Sequence, residues 1–191
     1  KIDTIKSAVD LVVQKEGRLD VLVNNAGMGI TGPVEDTPTD EMRAVFNTNL
    51  FGAIDVMKVV LPIMRKQKAG LIINVTSIAG YMGLPFRGLY SASKGALELV
   101  TEAMSMEVKN LGIHVVNVAP GDYNTEILSN RVDSNNNPNS PYYKEYSRVI
   151  KSVNTKMEHG RDPEEVAELV LKIISKVTST GQISYQFNRN E

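Results

Sequence analysis

Three short apolar stretches, kept apart by long helical patterns, limit what this chain can fold into. They are "DVLVN" (Asp20 to Asn24), "LIINVTS" (Leu71 to Ser77) and "IHVVNVAP" (Ile113 to Pro120). Their apolar residues run nearly without interruption instead of alternating, so each is expected to be a strand buried on both faces. Between the first and second lies "TPTDEMRAVFNTNLFGAIDVMKVVLPIMRKQ" (Thr37 to Gln67). Between the second and third lies "LYSASKGALELVTEAMSMEVKN" (Leu89 to Asn110). Strands joined by crossover helices pair in parallel, and the helices cover both sides of the sheet. The expectation is an α/β fold, with all 191 residues in a single domain.

The ends and turns follow the same logic. Ile2, Ile5, Val9, Val12 and Val13 form a helical stripe, and Gly17 reads as its stop. The chain therefore opens inside a helix. Thr37 reads as the cap of the next helix with Pro38 at its first position, and Gly112 as the stop after Asn110. Asp162 and Pro163 open "DPEEVAELVLKIISK", and "ISYQF" (Ile183 to Phe187) reads as a last strand. From about Asp122 to Gly160 runs a polar connection containing "SNNNPNSPYY". A connection so long in a compact domain is functional or disordered.

Composition narrows the chemistry. With no cysteine, disulfides, thiol nucleophiles and thiolate metal sites are excluded. The two histidines lie far apart, so no metal site is expected. A net charge of -1 offers no field for nucleic acid. No apolar run reaches the roughly 18 residues of a membrane span. A reducing cytoplasm suits such a chain.

"NNAGMGITGP" contains a GxGxxG at Gly27, Gly29 and Gly32. The dinucleotide fingerprint needs a helix opening within it and an acidic residue about 20 positions on. Here Pro33 follows the third glycine, the helix begins only near Pro38, and "FNTNLFG" carries no acid. These glycines are read as a turn where a strand meets a ligand, not as a phosphate loop.

The residues that carry chemistry lie elsewhere. "YSASK" puts Tyr90 and Lys94 at i and i+4, on one helix face. A neighbouring ammonium favours the phenolate, so this tyrosine is expected to have a lowered pKa and to exchange a proton with a carbonyl or alcohol oxygen. Ser77 ends a strand, where ligands of parallel sheets sit, and could hold the same oxygen. Asn49 and Gly52 interrupt an otherwise apolar helix, which suggests a local break with a use. "APG" (Ala119 to Gly121) aims a third strand end at the same crevice.

"NNAG", Asn49, Ser77, "YSASK" and "APG", in this order and spacing, resemble the classical short-chain dehydrogenases/reductases across nearly the whole chain. The resemblance implies a Rossmann-type doubly wound parallel sheet and hydride transfer between NAD or NADP and an alcohol or carbonyl carbon. It implies Tyr90 as catalytic acid/base and Lys94 as the cation that lowers its pKa and binds the nicotinamide ribose. Ser77 would orient the substrate oxygen, and Asn49 would hold a water that links Lys94 to solvent. Asn25, Ala26 and Gly27 would run beside the adenosine half of the cofactor. Pro120, Gly121 and Thr125 match the motif that holds the nicotinamide end, and Tyr123 stands where the family usually has valine or isoleucine. The family plan also places a strand and a glycine-rich TGxxxGxG loop ahead of Lys1, so a longer native protein is expected.

"GMGITGPVED", "GYMGLPFRGLYSASK" and "LPIM" look most like the hydroxysteroid and retinol dehydrogenase branch. Tyr81, Met82, Leu84 and Phe86 could form an apolar pocket wall, with Tyr142, Tyr143 and Tyr146 on a substrate lid at about 122–160. Apolar residues on more than one face of the two long helices suggest a homodimer or homotetramer, as in the family. A non-catalytic nucleotide sensor or partner-binding member of the same fold is the alternative. A serine hydrolase is disfavoured, since no GxSxG is present.

Overall fold

A computed structural model of the protein describes residues 2–134 and 137–180; the expected strand at Ile183 to Phe187 lies outside them. Three strands form a parallel sheet: β1 (Val21–Asn24), β3 (Gly70–Val75) and β4 (Ile113–Val118), in the order β1-β3-β4. Val21 pairs with Leu71 and Gly70 with Ile113, so the three carboxyl ends stand side by side. The sheet is covered on both faces, as the unbroken apolar runs require.

Alternation along the strands sorts the core into two layers. Ile72, Ile113 and Val115 face helices α1 (Ile2–Glu16), α3 (Ala53–Gln67) and α4 (Gly88–Glu107), where Met57, Val60, Met64 and Leu97 complete the cluster. Leu71, Ile73 and Val118 face the other way, against Ile173 of α7 (Glu164–Thr180). Met57, Val60, Met64, Ile72 and Ile73 have no exposed surface, and each such side chain contributes on the order of 1.5–3 kcal/mol of burial. Gly17 and Gly112 end their helices with φ of 75° and 72°, the left-handed conformation that glycine adopts without penalty.

The helix expected over 37–67 has two corrections. It begins at Thr39 as α2 (Thr39–Phe46), and the Thr37 hydroxyl donates to the Pro33 carbonyl instead of capping. Between α2 and α3 the chain winds as a π-helix over Asn47–Gly52, where Asn49 and Gly52 predicted a break. This helical run, Thr39–Gln67, is long and apolar enough to cross a membrane by length and composition, contrary to the expectation that no segment reaches that length. In the fold its apolar side packs on the sheet.

The long connection is not a bare loop. It holds α5 (Ile127–Asn130), β5 (Val132–Asp133) and the 16-residue α6 (Tyr143–Glu158). Strand β5 pairs in parallel with β2 (Ile30–Thr31), which fastens the connection to the segment after β1. The α6 helix buries Tyr146 and Ile150, and Val153 and Met157 follow at helical spacing.

Candidate active site

The three carboxyl ends of the sheet open into a cavity of about 1120 Å³. Asn25, Ala26 and Gly27 follow β1 along one side. Ser77 follows β3, and Pro120, Gly121, Tyr123 and Thr125 follow β4. Tyr90 and Lys94 reach the cavity from the first two turns of α4. Every residue anticipated for catalysis or cofactor binding lines it except Asn49, which lies directly behind Gly27.

Hydrogen bonds between the strand ends fix their relative positions. Thr76 N–H donates to the Val118 carbonyl at 2.8 Å, and Ile78 N–H to the Pro120 carbonyl at 3.1 Å. Ser77 caps a short 3-10 turn (Ile78–Tyr81) by accepting the Ala79 N–H at 3.2 Å. That turn lies against the backbone of α4. A Cβ on Gly95 would stand 2.7 Å from the Gly80 carbonyl oxygen, so only glycine allows the approach that brings Ser77 toward Tyr90. Neither Gly80 nor Gly95 was singled out from the sequence.

The Tyr90 phenol is raised above its ordinary pKa, chiefly by burial. A hydrogen bond with Ser77 and the positive charge of Arg87 oppose that shift. The direction is the reverse of what a neighbouring ammonium alone would produce, because desolvation of the phenolate dominates. Lys94 is 4% exposed, and burial lowers it to about 8. Its Nζ donates to the Val75 carbonyl at 2.8 Å.

Asn49, 1% exposed, acts through its amide. Its Oδ1 accepts the Met28 N–H at 2.8 Å. Its Nδ2 donates to the Met28 carbonyl at 2.9 Å and to the Ser93 hydroxyl at 3.0 Å. Ser93 in turn donates to the Tyr90 carbonyl at 2.8 Å. Asn49 thus ties the turn after β1 to the helix that carries the tyrosine. A Cβ on Gly27 would lie 3.3 Å from Lys94 Nζ and 3.4 Å from Asn49 Oδ1, so the turn passes the ammonium with no side chain between.

A second polar chain was not anticipated. Asn24 Nδ2 donates to Asn74 Oδ1 at 2.8 Å, and Asn74 Nδ2 to Thr101 Oγ1 at 2.7 Å, linking β1, β3 and α4 beneath the cavity. The signal was present: each strand carries one asparagine near its carboxyl end, and Asn24, Asn74 and Asn117 stand in register.

The substrate side departs from expectation. Met82 and Leu84 line the cavity, but Tyr81 and Phe86 do not. Tyr81 bonds Glu98, and Phe86 packs edge-on against Tyr146 with ring centres 5.4 Å apart. Of the connection, Ile127, Asn130, Arg131, Val153 and Met157 line the cavity, while Tyr142, Tyr143 and Tyr146 do not. Tyr143 and Tyr146 border a separate pocket with Ile150 and Asn154, and Tyr142 donates to Glu35 at 2.5 Å.

A parallel sheet with a phenol, an ammonium and a hydroxyl at its carboxyl edge defines the class, and sequence comparison agrees: the short chain dehydrogenase family matches residues 1–136. The chain belongs to that family. It is 40% identical over 174 residues to 3-ketodihydrosphingosine reductase of Bacteroides thetaiotaomicron, covering 91% of this chain and 65% of that protein. It is 36% identical over 165 residues to retinol dehydrogenase 8 of Bos taurus, covering 83% of this chain and 53% of that protein. Among solved structures, a short chain dehydrogenase/reductase from Burkholderia phymatum in complex with NAD is similar with a TM-score of 0.80 and 25% identity, covering 92% of this chain and 65% of that one. The chain thus spans less than two thirds of the length of these relatives.

Proposed function

We propose that the protein is an NAD- or NADP-dependent oxidoreductase acting on an alcohol or carbonyl compound of moderately apolar character. One observation carries the reading: the half-buried Tyr90 phenol shares one cavity with Ser77, Lys94 and the turn Asn25 to Gly27. The residues present fit a dinucleotide. The cavity lies at the carboxyl ends of parallel strands, and Gly27 presents bare backbone beside Lys94.

When bound, the nicotinamide supplies or accepts the hydride. Asn25, Ala26 and Gly27 would hold the adenosine half; Pro120, Gly121, Tyr123 and Thr125 would hold the nicotinamide end, with Lys94 at the ribose. Ser77 holds the substrate oxygen beside the phenol. Tyr90 gives that oxygen a proton when a carbonyl is reduced and takes one when an alcohol is oxidised. A phenol raised by burial keeps its proton at neutral pH, the state that reduction needs. Asn49 would hold the turn after β1 and a water that serves Lys94. Met82, Leu84, Ile127 and Val153 suit an apolar substrate body, in keeping with relatives named for 3-ketodihydrosphingosine and retinol. Leu99 and Met106, 68% and 67% exposed on α4, support a homodimer or homotetramer, and a cytoplasmic location is part of the same proposal.

Tyr90→Phe tests the chemistry. The expected loss in kcat is about 10²–10⁴-fold, with cofactor binding retained. Turnover equal to that of the unaltered protein would sink the assignment.

A further inference from the structure

Two arginines line the substrate end of the cavity, Arg87 and Arg131, and neither takes part in an ion pair among the described residues. Both are half-buried. Arg131 donates from Nη1 to the neutral Asn154 Oδ1 at 2.8 Å, and Asp133, bonded by Tyr146, is the carboxylate nearest to it in sequence. Among the described residues no side-chain hydrogen bond holds Arg87; its charge acts on the Tyr90 phenol, one helical turn along α4. The carboxylates on the cavity lining, Asp122 and Glu126, are both exposed.

The same short strand fixes the backbone beside both arginines. The Phe86 carbonyl accepts the Gly32 N–H at 2.9 Å, which fixes the residue before Arg87 to one end of β2. Phe86 has φ of 59°, a left-handed conformation that non-glycine residues rarely adopt. At the other end, Val132 N–H donates to the Gly29 carbonyl at 2.9 Å, which fixes the residue after Arg131. A Cβ on Gly29 would lie 2.9 Å from the Arg131 Cβ, so that side chain starts directly over the turn after β1. Two like charges on the lining of one cavity, with only the exposed Asp122 and Glu126 among the carboxylates on that lining, favour an anion bound there. The guanidinium fork matches a carboxylate or a phosphate in two parallel hydrogen bonds.

We propose that Arg87 and Arg131 form an anion subsite, and that the substrate joins an apolar body and a reacting alcohol or carbonyl to a carboxylate or phosphate. The inference rests on the oxidoreductase reading for the reacting carbon, but the subsite itself depends only on the two arginines and the cavity.

The test uses matched pairs with the native protein: a long-chain keto acid against its methyl ester, and a keto phosphate against the corresponding hydroxy ketone. The charged member is expected to have a KM at least 10-fold below its neutral partner, and the favoured pair tells carboxylate from phosphate. Arg87→Leu and Arg131→Leu should each reduce that preference by about 10-fold or more, chiefly through KM. Arg87→Lys and Arg131→Lys should restore part of it and guard against a folding defect. Equal KM values within each pair, or a preference untouched by the arginine variants, would overturn the subsite. Equilibrium dialysis of the same compounds against Tyr90→Phe separates the two readings. Selective binding of the charged member, lost on adding Arg87→Leu, supports the subsite even if no compound is turned over. No discrimination in dialysis overturns it even where Tyr90 proves essential.

Discussion

The two halves of the cavity are built in different ways. On the sheet side, position depends on buried side chains bonded to backbone: Asn49 to Met28, Ser93 to Tyr90, Lys94 to Val75. On the lid side it depends on a two-residue strand pair and on hydroxyl groups donating to carboxylates near the surface. Ser134 donates to Glu41 at 2.6 Å, Ser140 to Asp36 at 2.5 Å and Tyr142 to Glu35 at 2.5 Å. A buried hydrogen bond that is cut leaves a group without water, whereas an exposed one is replaced by solvent. The sheet side of the cavity is therefore the costlier of the two to perturb. Substitutions should separate the halves: large effects on stability and turnover from the sheet side, small effects confined to KM from the lid.

The strongest challenge to this contrast is Asn49→Ala. It leaves Met28 N–H, the Met28 carbonyl and the Ser93 hydroxyl short of partners in a site that is almost fully buried. The expected loss is about 2–4 kcal/mol by denaturant titration, with a fall in kcat as the turn after β1 drifts from α4. A loss below about 0.5 kcal/mol would mean that the amide is not a clamp, and the sheet side would lose its distinction.

Lys94→Met should act in the opposite direction on stability. Burial lowers the Lys94 ammonium from 10.5 to about 8. At pH 7 the folded protein carries the full cost of a buried charge. Between pH 8 and 10.5 the folded lysine is neutral while the unfolded one stays charged, so stability rises with pH across that window. Replacing the lysine removes the cost but forfeits the bond to Val75, for a net gain of about 1–2 kcal/mol at pH 7. A melting temperature a few degrees higher at pH 7, with the gain shrinking above pH 8 and turnover lost, would identify a residue kept for function against stability. A lower melting temperature at pH 7 would refute that account.

What could be read beforehand follows the same division. The three strands, the long helices and their glycine stops were legible because periodicity and turn chemistry are local. Ser77, Tyr90 and Lys94 line one cavity because strand ends and the first turns of a following helix share one edge of the sheet. The π-helix was visible as Asn49 and Gly52 in an apolar run. The lid's order was not. Pairing of β2 with β5 joins residues about a hundred positions apart through two residues each, which leaves no periodic trace. The α6 helix did leave one, Tyr146, Ile150, Val153 and Met157, but the Asn- and Pro-rich tract before it dominated the composition. Tyr90's raised pKa could not be read either, because burial is a property of the assembled cavity and the i+4 lysine is only one part of its surroundings.

On the lid side, Tyr146→Phe should be the largest perturbation and still be modest. Tyr146 is 3% exposed; its hydroxyl meets Thr31 at 3.0 Å and donates to Asp133, across the β2–β5 pair. The ring contact with Phe86 survives the substitution. The expected loss is about 1 kcal/mol, with a several-fold rise in KM and kcat within a factor of two. A large drop in kcat instead would show that the lid positions Tyr90 as firmly as Asn49 does.

The smallest effect belongs to Ser140→Ala. Its hydroxyl donates to Asp36, and its Oγ accepts the Tyr142 N–H at 3.2 Å, so it joins the start of α6 to the segment before α2. Both bonds are only part-buried, so water can reach the groups left behind and global stability should change by less than about 0.5 kcal/mol. Local opening is a different quantity. If segment 122–160 is a lid that opens without unfolding the sheet, each bond removed from it raises the open population directly. Limited proteolysis with cleavage between Asp133 and Tyr143 should therefore be about two-fold faster than in the unaltered protein at equal melting temperature. Cleavage that accelerates only in step with global unfolding would mean that lid and sheet open together, and the contrast between the two halves would fail.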